Sequence, residues 1–149
     1  MPPVSSIDRR LSSCLMGMIF GLILVGLVSG SPLRHVVQVL PACIVLVALS
    51  QRASWGPYAA MTIFMFWFLI MALIWLYLIG LAHVVTGNFT KPETILTIFI
   101  GGWCLLGLFH FVRAPTTTMF TTRIAAFTGV AALQVAALWL SLQPYLSHH

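Results

Sequence analysis

Apolar residues run through this chain in five long blocks, at 14–30, 33–50, 57–85, 92–112 and 124–142, separated by short polar segments. The third block dominates. Its 29 residues include no Asp, Glu, Lys or Arg. As a helix it would extend about 43 Å at ~1.5 Å per residue, longer than the ~30 Å hydrocarbon core of a bilayer. Bulky apolar residues lie on nearly every side of it, so no face is marked for water. The other blocks have 17 to 21 residues, also long enough to span. The pattern predicts an all-α fold: a single integral membrane domain over 1–149, built as a bundle of five transmembrane helices with short loops.

Local signals punctuate the blocks. Pro57 stands in the first turn of the third, where its missing N–H costs nothing. Thr90 and Glu93 have the spacing of a capping box, with Pro92 between them, and mark the start of the fourth. Glu93 is thereby assigned to a helix cap. Pro41 falls near the middle of the second block and removes a backbone donor there. The basic start followed by an apolar run resembles a signal peptide, but no small-x-small pattern leads into a soluble domain. The run therefore reads as a retained first span.

Small residues mark faces for helix contact. The first block holds two GxxxG pairs, Gly17 with Gly21 and Gly26 with Gly30. At 100° per residue the two pairs face in opposite directions and would meet different neighbours. In the fifth block Ala125, Gly129, Ala132 and Ala136 form a stripe. Gln134 is its one strongly polar residue, and in hydrocarbon its amide needs a partner on another helix.

Composition removes whole classes of function. Hydrophobic residues make up 60% and charged residues 6%, against about 25% charged in a soluble domain, so a water-soluble globule is excluded. The net charge of +5 is spread thinly between apolar blocks and forms no stripe, which argues against nucleic acid as a partner. The basic residues instead set orientation. Arg9, Arg10, Arg52, Arg113 and Arg123 fall on one side of the membrane, and Arg34 and Lys91 on the other. The richer side is cytoplasmic by the positive-inside rule, giving N-terminus in and C-terminus out. Six Arg against one Lys suggests a GC-rich bacterial genome and hence a bacterial inner membrane. Cys14, Cys43 and Cys104 have no CxxC or Cys/His spacing, so neither a disulfide framework nor a metal site is expected.

Chemistry has few places to reside. No paired carboxylates lie within a span, and no nucleotide-binding, zinc-protease or nucleophile-elbow motif is present. No catalytic residue is expected. One constellation remains on the outer side. His35 starts the second block and His83 ends the third, with Arg34 beside His35 and Gln38 one turn deeper. Two histidines at similar depth suit axial ligation of a haem. They equally suit hydrogen bonds to a quinone carbonyl, with Arg34 or Gln38 as second donor. The plainer reading is two histidines among lipid headgroups. His148 and His149 end a free tail.

The favoured expectation is a small accessory or scaffold subunit that packs with another membrane protein or a second copy through Gly17, Gly21, Gly26, Gly30 and the fifth-block stripe. Leucine at position 21 or 129 would then weaken assembly without preventing insertion. The alternative is a haem- or quinone-binding electron-transfer subunit. A third class, a small transporter or channel, is favoured by Pro41 and Gln134 and opposed by the lack of intramembrane charge.

Overall fold

The computed structural model describes residues 6–83, 87–113 and 118–143. They form five helices: α1 (Ser6–Val28), α2 (Pro32–Ser50), α3 (Gly56–Leu78), α4 (Lys91–Val112) and α5 (Phe120–Ser141). All five are long and apolar enough to cross a membrane. The chain is an all-α integral membrane protein.

Three boundaries differ most from the sequence expectation, one of them the start of α5 at Phe120 rather than at 124. From Ser6 onward the polar lead before residue 14 is already helical, and Leu11 within it is fully buried. Ser13 fits a helix because its hydroxyl donates to the Arg9 carbonyl, 3.0 Å away, so its polarity does not interrupt the ladder. At the other extreme, the long third block stops at Leu78. Gly80 takes the left-handed conformation (φ 78°), and the Leu81 and Gly80 amides bond back to the Leu76 and Tyr77 carbonyls, both at 2.9 Å. This is a Schellman end, which a composition count overlooks. Gly30 (φ 67°) ends α1 in the same way, with the Ser31 amide on the Gly26 carbonyl at 2.9 Å. Gly30 is therefore a helix terminator, with nothing near enough to pack on it, and not a packing glycine.

The helices close a ring in the order α1–α4–α3–α5–α2 and back to α1, and α3 leans inward to touch the other four. Ala59, Ala60, Ile63 and Phe64 of α3 are completely buried. Small residues there let neighbouring backbones approach, while Phe64 fills the centre.

Glycines receive large side chains across the interfaces. A Cβ on Gly17 would lie 2.5 Å from the Trp103 ring, and one on Gly21 2.6 Å from Ile100, so both are spent on the α1–α4 contact. Gly101 receives Trp75, and Gly107 receives Phe64. The first GxxxG pair thus serves the chain's own fold, and leucine at position 21 would disturb that fold directly.

On α5 the buried face is Ala126, Val130, Gln134, Ala137 and Ser141. The expected stripe of Ala125, Gly129, Ala132 and Ala136 is one residue out of phase with it and lies exposed. One residue is about 100° of helix rotation, enough to turn the stripe from the bundle to its outside.

Candidate functional site

A cavity of about 340 Å³ opens inside the ring, at the end that carries the α1–α2 turn. Its walls come from all five helices. Arg34, His35 and Gln38 supply one side, Glu93 and Thr97 another, and Leu22, Met71, Ile74 and Ile100 make it apolar within. Phe89, just before α4, also lines it. A volume of this size falls at the lower end of ligand pockets, which run about 300–1,000 Å³.

Each polar group is placed by the helix that carries it. Pro32 starts α2 and brings Arg34 and His35 into its first turn. The His35 ring rests on Gly26 of α1, where a Cβ would lie 2.8 Å from His35 Cβ and 2.9 Å from Cγ. Gly26 therefore sets where His35 stands. The ring is also held by Ser31, with Nδ1 3.1 Å from its carbonyl oxygen. A carbonyl only accepts, so Nδ1 carries the proton and Nε2 of the neutral ring is left as an acceptor.

Arg34 and Gln38 are tied to the end of α5. Arg34 Nε donates to the Ser141 carbonyl at 2.9 Å, and Gln38 Nε2 donates to the Ser141 hydroxyl at 2.9 Å. That hydroxyl in turn donates to the Leu138 carbonyl at 2.6 Å. Two turns below Ser141, Gln134 Nε2 donates to the backbone carbonyl of Gln38 at 3.1 Å. The result is a polar seam between α2 and α5 along one wall. It is incomplete, since Gln134 Oε1 is buried without a hydrogen-bond partner among the described residues. Such a group carries a desolvation cost of about 1–3 kcal/mol.

The α4 wall is equally defined. Thr90 and Glu93 form the reciprocal capping box, with Glu93 Oε2 accepting from the Thr90 amide at 2.7 Å. Glu93 thus caps α4 and lines the cavity at once. Thr97 donates to the Thr94 carbonyl at 2.8 Å and accepts from Trp75 Nε1 at 3.0 Å.

The floor holds a residue that sequence reasoning did not single out. Trp67 stands at the midpoint of α3 and lines the cavity. It is 3% exposed, and its buried Nε1 has no hydrogen-bond partner among the described residues. Eleven residues separate it from the end of α3, about 16 Å of helix, so the cavity reaches from the rim toward the middle of the bundle. No sequence signal could have chosen Trp67, because α3 is apolar on all sides.

The structure brings Arg34, His35 and Gln38 together on the cavity and leaves His83 off it. His83 lies past the Gly80 turn, exposed, with its ring perpendicular to that of Tyr77 at a centroid distance of 6.5 Å. His148 and His149 lie outside the described residues. Among the described residues no group of three or more His, Cys, Asp or Glu is arranged to hold a metal ion. What the arrangement can do is hold an amphipathic molecule, with polar contacts at the rim and apolar contacts below. Comparison with known protein families, with curated proteins and with solved structures finds no match, so the chain's own geometry carries its functional interpretation.

Proposed function

We propose that this protein is a small membrane-embedded binding subunit that holds an amphipathic molecule drawn from the bilayer. The observation that carries this is the cavity itself: polar groups of Arg34, His35 and Gln38 at one end and apolar walls toward the middle of the bundle. A neutral or weakly polar head would sit at the rim and its apolar part below. By the distribution of arginines, the N-terminus faces the cytoplasm of a bacterial inner membrane and the rim faces outward. A C-terminal alkaline phosphatase fusion is then active, and an inactive one reverses the orientation. Protein purified in mild detergent should release one amphipathic molecule per chain on solvent extraction, detected by mass spectrometry. Val25→Phe, which adds bulk at the cavity wall, should abolish this. Preparations that never carry or take up such a molecule would refute the proposal.

A second reading, an accessory subunit docked in a larger assembly or on a second copy, draws support from α5. Its stripe of Ala125, Gly129, Ala132 and Ala136 is exposed, and a Cβ at Gly129 would meet nothing within 4 Å. Gly129→Leu should therefore leave the chain folded and weaken only association. Unchanged native assemblies from membranes carrying Gly129→Leu would rule out α5 as the docking face.

A further inference from the structure

We infer that the bound molecule is a lipid with a phosphoethanolamine head, its phosphate on Arg34 and its primary ammonium on Glu93; this rests on the cavity being a ligand site. The charges supply the first argument. Arg34 of α2 and Glu93 of α4 are half-buried on different walls of one cavity. They do not bond to each other. Arg34 donates to the Ser141 carbonyl, and Glu93 accepts from Thr90. His35 stands within electrostatic reach of both. A charge withdrawn from water is costly without a countercharge, and among the described residues neither has an ion pair. The complement is a head that brings both signs at once. An anionic head would leave Glu93 unmatched and repelled. An uncharged head would leave both groups unmatched.

The bonds left open supply the second argument. Arg34 commits only its Nε and retains two terminal amino groups, which suit phosphate oxygens. Glu93 commits Oε2 to the Thr90 amide and hydroxyl, both at 2.7 Å, and retains Oε1 as an acceptor. His35 keeps Nε2 as an acceptor, its Nδ1 being held by Ser31. Gln38 keeps its amide oxygen, its nitrogen being held by Ser141. These acceptors line the same cavity and suit the N–H donors of a primary ammonium. A quaternary ammonium has no N–H and would leave them unmet. Below the rim, Leu22, Met71, Ile74 and Ile100 offer apolar walls to an acyl chain. A cavity of about 340 Å³ has room for the head and the start of one chain, which sets the choice of single-chain probes.

The test is native mass spectrometry of the full chain released from dodecyl maltoside, with three lysolipids of the same lauroyl chain added at equal concentration. Their heads are phosphoethanolamine, phosphocholine and phosphoglycerol. The phosphoethanolamine lipid should bind one per chain, about tenfold tighter than either of the others, equivalent to ~1.4 kcal/mol. Glu93→Gln keeps the helix cap, since glutamine also closes a capping box, and should erase that preference. Val25→Phe should abolish the binding. Glycerophosphoethanolamine, the same head without a chain, should not compete at the same concentration, and competition would overturn the lipid in favour of a soluble solute. Equal binding of the phosphoethanolamine and phosphocholine lipids would overturn the primary ammonium. Tighter binding of the phosphoglycerol lipid, or unchanged selectivity in Glu93→Gln, would overturn the role of Glu93. Equal binding of all three that is lost in Val25→Phe would overturn the head and leave the ligand cavity standing. Binding that survives Val25→Phe would lie outside the cavity and overturn the proposal. Binding of none would overturn it together with the ligand-binding function. If Glu93→Gln fails to fold, the three-probe comparison on the unaltered chain decides alone.

Discussion

Gly107→Ala adds a single methyl group at a tightly closed contact between α3 and α4. Its Cβ would lie 2.6 Å from Cδ2 and Cζ of Phe64, and closer still to Cε2. Carbon atoms pack at about 3.5–4.0 Å, so the ring must retreat by roughly 1 Å. Phe64 of α3 is fully buried, and the methyl meets the ring itself rather than the end of a flexible chain. Overpacking of this kind costs about 1–3 kcal/mol, with the upper half expected here. Alanine recovers at most about 1 kcal/mol of helix propensity. The net loss should be about 1–2 kcal/mol. Gly129→Ala is the internal control, because its Cβ meets nothing within 4 Å and retains only the propensity gain. Reversible unfolding in mixed micelles of dodecyl maltoside and dodecyl sulfate, followed by tryptophan fluorescence, would separate the two variants by about 2 kcal/mol. If they fall within about 0.5 kcal/mol of each other, the ordinary range of surface substitutions, the glycine–aromatic account of the α3–α4 contact is refuted.

The same unfolding measurement tests three further expectations. Arg52 holds a left-handed backbone (φ 58°) at the end of α2, which costs a non-glycine residue about 1–2 kcal/mol, so Arg52→Gly should stabilise by up to ~1 kcal/mol. Thr90→Ala removes half of the capping box on α4 and should cost about 1 kcal/mol. Gln134→Leu loses one hydrogen bond to Gln38, worth ~1 kcal/mol, but also relieves the buried Oε1, worth about 1–3 kcal/mol. It should be neutral to stabilising, and a clear destabilisation would show that Oε1 finds a partner.

What the sequence decides by itself is whatever depends on local sums. Length and hydrophobicity add along a segment, so five spans and an all-α membrane fold were legible without any contact. The cap at Thr90 and Glu93 was legible too, because it closes within four residues. Segment ends were less so, since the stops at Gly30 and Gly80 depend on a backbone conformation that composition does not encode. Only the tertiary structure assigned the faces. An apolar helix in lipid has no wet side, so periodicity could not tell that Ala126 and Val130 turn inward while Ala125 and Gly129 turn outward. Nor could it tell that Gly17 awaits Trp103 or that Gly26 sets the place of His35. Arg34, His35 and Gln38 were visible as a group because they share the first two turns of one helix. Trp67 and Ser141 join them from helices far along the chain, brought in by glycine–aromatic packing and by the seam of hydrogen bonds between α2 and α5. The cavity is the space those contacts leave open, and it exists only once all five helices have closed around it.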